Sequence, residues 1–410
     1  MTRRSAVICG LIMLVTGHGL AGAAPPPSGD DAGWPQYRGV NRDGIASTGG
    51  APLTWPAAGP QVVWKHDIGA GFSQLTVGDG AVYTGLAGEE QEYVVRLDGD
   101  SGEEVWRTPI GSSFQDQFGN GPRSTPTLDG AILYVLSAGG GLHAVKTEDG
   151  TPLWSADLVA EFGSQTPRFG YSPSPLVAGW LLLVEVGGNQ NRSLVAFDKK
   201  TGDVVWSVLS GPAGYSSPLV ATLGGKEQII MPRGTALTGL GLNGVVQWEY
   251  TLKEPAIAMP VLVGEDRIFV SSMGDAGCAL VQVSRGADGF TAETVWENRN
   301  MRNHFNSSLV IGDAIYGFDN ATLKSLDLET GEVRWAHRGL GKGSLIAVDD
   351  RLLVLSVKGE FSMVDTSAET YTSLGAVQAL EGKSWTAPSY SAGRVYLRNL
   401  TQMTCLDLRG

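Results

Sequence analysis

Apolar and polar residues alternate along most of this chain, in short runs separated by glycine-containing turns. In VAFDKKTGDVVW, an alternating run leads into an Asp and a Thr-Gly step, and a second run ends at Trp206. Period-two alternation places every second side chain on one face of a strand, and the Gly step supplies the positive φ of a turn. The pattern predicts a β-hairpin ending in tryptophan. Clear copies end at Trp106, Trp154, Trp206 and Trp335, and weaker copies end at Trp248 and Trp296.

A second hairpin precedes each tryptophan-ended hairpin, as in STPTLDGAILYVLS and MPVLVGEDRIFVSS. Each repeat therefore holds four strands, and successive repeats are roughly 40–50 residues apart, which is the length of a propeller blade. Counting the units around the chain gives eight. We predict an all-β protein that folds as an eight-bladed β-propeller of four-stranded antiparallel blades.

The two ends of the chain complement each other in this repeat. The seventh unit carries Tyr371 roughly where tryptophan is expected, and the last unit stops after its third strand, which holds Cys405. The segment QVVWK at residues 61–65, with Trp64, supplies the missing outer strand. Pairing of the strands of Trp64 and Cys405 would close the ring and remove an exposed sheet edge.

The repeated tryptophans are predicted to hold the fold together rather than to carry a cofactor. A large ring at the end of an outer strand docks between neighbouring blades and buries about 150–250 Å². The Asp-x-x-Thr-Gly element is interpreted as turn chemistry, because a Ca²⁺ site needs more carboxylates around one ion.

Composition narrows the classes of function. The chain has 410 residues, of which 57 are Gly and 11 are Trp, and its formal net charge is -12. Such an acidic chain is not expected to bind nucleic acid or anionic membrane surfaces generally, although a local basic pocket remains compatible with it. Cys278 and Cys405 lie far apart in the repeat order, and we interpret both as buried, inert thiols.

The N-terminus has the pattern of an export signal. Arg3 and Arg4 precede an apolar run over residues 6–15, and small residues follow at positions 21–23. The run is too short to span a bilayer, and no later stretch is long and apolar enough to do so. We predict a signal peptide over residues 1–24, an arm over 25–60 and a propeller over 61–410. The mature protein is expected to be periplasmic or secreted, and monomeric, with either general or twin-arginine export.

The repeat resembles the tryptophan-docking motif of pyrroloquinoline quinone (PQQ) enzymes. The pattern A-x-D-x-x-T-G-x-x-x-W is best seen from Ala196 to Trp206, and the resemblance covers residues 61–408. The opening WPQYRGVNRDGI and the closing LEGKSWTAPSYSAGRVYLRN look like PQQ-like, or BamB-like, exported propeller proteins. BamB relatives are outer-membrane assembly scaffolds that bind partner proteins, and they are usually lipid-anchored through a Cys that is missing here.

The sequence departs from the quinoprotein alcohol dehydrogenases of this fold. Those enzymes carry adjacent cysteines over the cofactor, a Glu and an Asn that hold Ca²⁺, and an Asp base. No adjacent Cys pair occurs here, and no Glu/Asn/Asp set is recognised. We therefore favour a non-catalytic binding or scaffold protein of the cell envelope. The alternatives are a PQQ-dependent dehydrogenase that oxidises an alcohol or sugar, and a sensor of carbohydrate or another small ligand.

The candidate binding site is the mouth of the central channel, where each outer strand connects to the next inner strand. Residues just before the inner strands are rich in cations and aromatic rings, with Asp116 the nearest acid. Such a mouth would favour an anionic ligand such as PQQ, an acidic peptide or a sugar acid. The predicted site residues are Arg123, Tyr171, Tyr215, His304, Asn306, Lys342, Lys383 and Trp385, with Ser73, Gln74, Arg168, Ser172, Ile257, Met259 and Phe305 nearby.

A plainer interpretation of the same positions stays open. Inner strands need small or hydroxyl-bearing residues at their start for packing, which would explain the serines, and Lys or Arg at a loop end is commonly solvated. His304 has no second His at metal-ligand spacing, and we interpret it as a hydrogen-bonded loop residue. No catalytic residue and no metal site are assigned. The arm over residues 34–45, with Arg38 and Arg42, is expected to pack on a face or side of the propeller, or else to cover the mouth.

Overall fold

The repeated hairpins form eight four-stranded antiparallel sheets in the computed structural model, which describes residues 33–367 and 369–409. The predicted signal peptide lies outside the described residues. Blades are numbered in chain order, and strands within a blade run from the channel outwards. Blade 1 contains Thr76–Gly78, Ala81–Ala87, Gln91–Asp98 and Glu104–Ser112, and blade 2 contains Thr127–Asp129, Ile132–Leu136, Gly141–Lys146 and Pro152–Asp157. Blade 3 contains Leu176–Ala178, Leu181–Gly188, Arg192–Asp198 and Val204–Val208, and blade 4 contains Leu219–Leu223, Lys226–Arg233, Ala236–Gly241 and Val246–Thr251.

The remaining blades complete the circle, and blade 8 draws its outer strand from the start of the described chain. Blade 5 contains Val261–Val263, Arg267–Ser271, Cys278–Gly286 and Gly289–Asn298, and blade 6 contains Leu309–Ile311, Ala314–Asp319, Thr322–Asp327 and Val333–His337. Blade 7 contains Ser344–Val348, Arg351–Leu355, Glu360–Asp365 and Ser373–Gln378, and blade 8 contains Ser389–Ser391, Arg394–Arg398, Gln402–Asp407 and Gln61–Asp67. A short helix, Leu158–Phe162, and a short strand, Ile45–Ala46, are the other regular elements of the described chain.

The ring closes as the sequence predicts. Trp64 lies opposite Cys405 in the antiparallel pairing of Gln61–Asp67 with Gln402–Asp407. The hydroxyl of Thr404 also donates a hydrogen bond of 2.9 Å to the carbonyl of Trp64. These contacts satisfy an edge that blade 8 would otherwise leave open, and they confirm the eight-bladed fold.

Each outer strand bulges just before the tryptophan position. In blade 3, Trp206 pairs with Ala196 and Val204 pairs with Phe197, so that Val205 is the extra residue. The corresponding register shift occurs in all eight outer strands. A bulge bends the strand and increases its local twist. Its place next to the tryptophan turns that ring towards the following blade.

The tryptophan ring docks on the next blade through its edge and its face. Trp154 Nε1 donates a hydrogen bond of 3.1 Å to the carbonyl of Lys199 in blade 3. A Cβ at Gly202 would lie 2.7 Å from the Trp154 ring, and the φ of this glycine is 79°. The Thr-Gly step therefore needs glycine both for its turn and for the neighbouring ring. The same donor arrangement occurs at Trp64, Trp106, Trp206 and Trp296.

Blade 7 lacks this tryptophan, and the structure corrects the expectation that Tyr371 replaces it. Tyr371 stacks on His337 of blade 6, with ring centroids 3.6 Å apart. Gly375 takes the tryptophan position of the outer strand, opposite Met363. The ring of Trp55, from the arm, fills the space above Gly375 and lies 5.7 Å from the Phe361 ring.

Residues 34–46 of the arm lie in the central channel, so the expectation that residues 34–45 pack on a face or side is wrong. Trp34 forms an antiparallel bridge with Val77 in the inner strand of blade 1. Ile45–Ala46 pairs in parallel with Ser344–Val348, the inner strand of blade 7. Between these two contacts, Arg38 and Arg42 reach blades 6, 3 and 4. A segment that touches the inner strands of so many blades can lie only at the centre of the ring.

Candidate functional site

The mouth is the end of the channel at which outer strands connect to the next inner strands. We define it by the connecting loops, residues 68–75, 113–126, 158–175, 209–218, 252–260, 299–308, 338–343 and 379–388. Six of these eight loops each place one aromatic ring in a continuous cluster, which we name the aromatic cap. Its members are Phe72, Phe118, Phe169, Tyr215, Phe305 and Trp385.

Trp385 is the centre of the aromatic cap. Its ring centroid lies 4.8 Å from that of Phe305, 5.9 Å from that of Phe72 and 6.0 Å from that of Phe118. From Phe118 the contacts continue across the mouth to Phe169, at 5.8 Å, and thence to Tyr215. Aromatic pairs at these separations stabilise one another beyond their buried area. The cap is therefore a connected surface, and Phe118 is 42% exposed on it.

Two cations lie against the cap without a carboxylate partner. Lys383 Nζ is 4.5 Å from the centre of the Trp385 ring and donates a hydrogen bond of 3.0 Å to the carbonyl of Phe118. The guanidinium of Arg168 is 5.2 Å from the centre of the Phe169 ring. Among residues 33–367 and 369–409, neither cation has a carboxylate oxygen within 4.0 Å. Both side chains are exposed and can contact an anion from solvent.

Arg123, one of the residues predicted to contact an anionic ligand, instead makes its hydrogen bonds inside its own loop. Its guanidinium lies 5.3 Å from the centre of the Phe72 ring and 4.8 Å from that of Phe114. It donates hydrogen bonds to the carbonyls of Gly119, at 2.8 Å, and Gly121. Burial lowers the pKa of Arg123, and Asp116 at 3.8 Å partly offsets this effect. We assign Arg123 to positioning the loop of Phe118.

His304 and Lys342 form a pair at the side of the cap. Lys342 Nζ and His304 Nδ1 are 3.3 Å apart, and the His304 ring lies 5.0 Å from that of Phe305. Burial, and secondly the charge of Lys342, lower the pKa of His304. The imidazole is therefore neutral at pH 7, and its Nδ1 can accept a hydrogen bond from the ammonium.

Two predicted site residues do not reach the mouth surface. Tyr171 is fully buried, and its hydroxyl donates a hydrogen bond of 3.0 Å to the carbonyl of Val186. Asn306 is also buried and donates a hydrogen bond of 2.8 Å to the carbonyl of Gly343. Both side chains use their polar atoms inside the fold. Of the eight predicted residues, Tyr215, His304, Lys342, Lys383 and Trp385 are placed together by the structure, with Arg123 beneath them.

The sequence pattern did not point to three rings of the aromatic cap: Phe72, Phe118 and Phe169. Phe118 lies in the connecting loop 113–126, which has 14 residues and lies outside the alternating strand pattern. A usable signal was present, because an aromatic residue in a glycine-rich connection cannot belong to the alternating strand pattern.

Hydroxyl groups at the inner strands follow the packing interpretation. Ser174 Oγ accepts a hydrogen bond from the Thr125 N–H at 2.9 Å, and Ser217 Oγ accepts one from the Ser174 N–H at 2.8 Å. Further round the ring, Ser307 Oγ accepts from the Met259 N–H at 2.8 Å. These contacts join neighbouring blades below the mouth and leave these serines no role in contacting a ligand.

Buried carboxyl groups hold two of the mouth loops. Glu92 accepts hydrogen bonds from the N–H groups of Ala138, at 2.8 Å, and Phe114, at 3.3 Å. Glu185 accepts one of 2.9 Å from the N–H of Gly214. Burial raises the pKa of Glu92 to about 6 and that of Glu185 to about 8. These groups anchor the loops of Phe118 and Tyr215 to the blades.

The residues do not fit the Ca²⁺ and PQQ set of the quinoprotein dehydrogenases. Within the described ranges, no three His, Cys, Asp or Glu side chains converge to hold a metal ion. Cys278 and Cys405 belong to blades 5 and 8; both are buried free thiols, and burial raises the pKa of each to about 12. The channel below the cap carries Arg38 and Arg42 of the arm.

A second concavity lies away from the mouth axis, between blades 4 and 5. It has a volume of about 260 Å³ and includes Lys253, Glu254, Cys278 and Glu297 in its lining. Lys253 Nζ pairs with Glu297 at 2.5 Å, and Glu254 accepts a hydrogen bond of 3.1 Å from the N–H of Ala276. Its charged groups are therefore already paired within the protein. In the part of the chain that the structure describes, no helix has the length and apolar character needed to cross a membrane.

The fold and repeat define a class of proteins, the PQQ-like β-propellers. The sequence matches the family described as "Outer membrane protein assembly factor BamB" over residues 90–337, more than half of the 410 residues, and the chain therefore belongs to this family. The BamB of Burkholderia pseudomallei is 26% identical over 310 residues, covering 70% of this chain and 72% of the relative. That of Shewanella oneidensis is 23% identical over 377 residues, covering 83% and 86%.

Solved structures show the same fold at lower identity. BamB from Moraxella catarrhalis has a TM-score of 0.61 and 14% identity, with 85% of this chain and 99% of that chain covered. The quinohemoprotein alcohol dehydrogenase from Comamonas testosteroni has a TM-score of 0.64 and 12% identity, with 92% and 81% covered. At such identities the likeness describes the eight-bladed architecture alone.

Proposed function

We propose that this chain is a non-catalytic scaffold of the cell envelope that binds a partner protein through its mouth. The partner contributes an acidic segment, which meets the aromatic cap and its free cations. The envelope location is supported by the export-type N-terminus and by relatives named as outer-membrane assembly factors. The observation that carries the binding proposal is the cluster in which the exposed Phe118 and Lys383 contact the half-buried Trp385.

The chemistry of this cluster suits recognition of another protein. Protein interfaces are enriched in aromatic residues and Arg, and their binding energy concentrates in a few such side chains. Lys383 and Arg168 add positive charge to a chain whose net charge is -12. Positive charge placed at a binding surface favours a partner segment of the opposite charge. Asp116 does not cancel this charge, because it lies beside Arg123.

The dehydrogenase alternative has weaker support from the same residues. The aromatic cap could stack on a planar quinone, but the channel under it holds the arm and its two arginines. A substrate would have to react above the cap, at a surface open to water. Transition-state stabilisation is strongest in sites that exclude water, and this surface does not.

The test compares capture of envelope proteins by three immobilised forms of the full chain. These are the wild type, a mouth variant with Phe118→Ser and Lys383→Glu, and a rim variant with Val205→Ser. Val205 is 39% exposed on an outer strand, far from the mouth, so its variant controls for a lost surface hydrophobe. We expect one or more proteins to be retained by the wild type and the rim variant, and reduced at least tenfold on the mouth variant.

Equal retention of the same proteins by all three forms would contradict the proposal that the partner binds through the mouth. Dye reduction by the purified protein with added PQQ, Ca²⁺ and an alcohol would contradict its non-catalytic part. The two readouts are independent, so a binding surface and an oxidation activity are judged separately.

A further inference from the structure

The arm motif WPQYRGVNRDGI does not belong to the proposed binding surface at the mouth. Its two arginines lie in an unusual environment for charged side chains. Arg38 and Arg42 are each 3% exposed, although neither forms an ion pair within the described residues. A buried charge is costly unless polar groups surround it. Main-chain carbonyl oxygens supply that surrounding here.

Arg42 lies in a cage of carbonyl groups from two blades. Its Nη1 donates to the carbonyl of Pro218 at 2.9 Å and to that of Ser174 at 3.3 Å. Its Nη2 donates to the carbonyl of Pro175, and its Nε donates to Gln36 Oε1 at 2.8 Å. Every nitrogen of the planar guanidinium thus has an acceptor. Burial lowers the pKa of Arg42 to about 9, so the group remains charged at pH 7.

Arg38 occupies an equivalent place against blade 6. Its guanidinium donates to the carbonyls of Ser308, at 2.7 Å, and Ser307, at 3.2 Å. Two further acceptors are the carbonyls of Asp43, at 2.6 Å, and Arg42, at 3.2 Å. The carboxyl group of Asp43 accepts instead from the N–H of Ile45. The cage is again built from carbonyl dipoles.

The fold explains why these carbonyls are available. Except in blade 7, whose inner strand also pairs with Ile45–Ala46, the inner strand of each blade has one neighbouring strand, so its channel-facing edge lacks a strand partner. Ser174, Pro175, Pro218, Ser307 and Ser308 all directly precede inner strands, at the mouth end of that edge. Several free carbonyls that converge on one axis form a site of negative potential. A flat, multiply donating cation fits this site better than a compact ammonium group does.

The backbone of the arm is strained at both arginines. Arg38 has a φ of 63° and Arg42 has a φ of 57°, in the left-handed region. This region is sterically unfavourable for residues other than glycine. Glycine would adopt these conformations freely, yet the chain places arginine at both points. The contacts of both side chains with blade carbonyls offset the cost of this conformation.

From this geometry we infer that the channel contains a guanidinium-binding site, built from main-chain carbonyls of blades 3 and 4, which the chain fills with its own Arg42. The carbonyl oxygens of Ser174, Pro175 and Pro218 recognise the cation, and the arm delivers it. The site is separable from its occupant. With the Arg42 side chain removed, the cage accepts a free guanidinium compound from solution.

The experiment uses the full chain with Arg42→Gly. Glycine relieves the backbone strain at φ 57° and removes only the side chain. Propylguanidinium matches the lost Cβ, Cγ, Cδ and guanidinium group, and propylammonium has similar length without the planar fork. We expect Arg42→Gly to melt several degrees below the wild type. At about 50 mM, propylguanidinium should raise its midpoint by about 1–3 °C relative to propylammonium.

Two controls accompany the measurement. The wild type has its cage filled, and Arg267→Ala removes an arginine that pairs with the exposed Glu329 at 2.9 Å. Neither should distinguish the two compounds. If Arg42→Gly is recovered only as aggregate, its refolding yield in each compound replaces the melting point. Equal effects of the two compounds on Arg42→Gly, or the same guanidinium-specific rise in the wild type, would overturn the inference.

Discussion

Glu185 in blade 3 accepts a hydrogen bond of 2.9 Å from the N–H of Gly214, next to Tyr215 of the aromatic cap. The other carboxyl oxygen, Oε2, is buried and has no hydrogen-bond partner among the described residues. Burial raises the pKa of Glu185 to about 8. The carboxyl group is therefore mostly protonated in the folded protein at pH 7, and its protonation affects the pH dependence of stability.

Stability should fall as the pH rises between about 5 and about 8. An unfolded glutamate ionises near pH 4.3, whereas folded Glu185 keeps its proton up to about pH 8. Over this window the unfolded state alone loses the proton, so the free energy of unfolding decreases, and the decrease ends above the folded pKa. Urea unfolding of Glu185→Gln at pH 5 and pH 8.5 should lack this loss.

We expect the stability of Glu185→Gln relative to the wild type to rise by about 1–4 kcal/mol between these two pH values. Glu227→Gln, at an exposed position of blade 4, is the control and should follow the wild type. Parallel curves for wild type and Glu185→Gln would mean that the buried carboxyl is ionised in the folded protein.

Alanine should destabilise the protein more at Gly202 than at Gly130, although both glycines have a positive φ. Gly130 has a φ of 57° and no heavy atom within 4 Å of the point where a Cβ would lie, whereas a Cβ at Gly202 would meet the Trp154 ring at 2.7 Å. Gly130→Ala should cost about 1 kcal/mol from φ alone. Gly202→Ala should cost about 1–3 kcal/mol more, because the ring must shift. Thermal unfolding measures both, and equal losses would contradict the docking role of Trp154.

Trp64→Ala should weaken the closure of the ring. Trp64 is 6% exposed and donates a hydrogen bond of 3.0 Å to the carbonyl of Gly99. Loss of such a side chain typically costs about 3–5 kcal/mol. Hydrogen exchange should accelerate first in Gln61–Asp67 and Gln402–Asp407. Trp180→Ala, at a ring that is 50% exposed, is the control and should change stability by less than about 0.5 kcal/mol.

Substitutions of Arg123 and Lys383 should distinguish a residue that positions the mouth loop from a residue that contacts the partner. Arg123→Ala removes contacts to Phe72, Phe114 and two carbonyls, so it should lower the melting temperature and the partner affinity together. Lys383→Ala removes an exposed cation and should leave the melting temperature unchanged. Its partner affinity should fall about 2–10-fold, the scale of one exposed cation–π or ionic contact. A large loss of stability in Lys383→Ala would show that this residue is structural.

The repeat architecture could be predicted because its determinants are local and periodic. In the clear copies the tryptophan follows the turn glycine by four residues, as Trp206 follows Gly202, and the strand around Trp64 matches the outer strand that the blade of Cys405 needs. The pairing of Trp64 with Cys405 follows from the count of four strands in each blade. The expectation for Tyr371 is wrong because its unit has a longer turn, which moves the tyrosine onto His337.

The mouth could be predicted only in part, because its loops lie outside the repeat. Tyr171 and Tyr215 occupy similar places in the sequence, yet only the hydroxyl of Tyr171 is used inside the fold, by Val186. The path of the arm depends on contacts with inner strands that are far apart in sequence. No local pattern around Arg42 indicates that Pro218 will accept its hydrogen bond.

The most direct test of the mouth as a binding surface is site-specific photo-cross-linking of the full chain in living cells. A photoreactive phenylalanine analogue replaces Phe118 in the aromatic cap, and in a matched strain it replaces Val205 on the rim. We predict a discrete cross-linked partner protein at position 118, lost when Lys383→Glu is added, and none at position 205. Cross-links at position 205 alone, or at both positions to the same extent, would contradict the mouth as the binding surface.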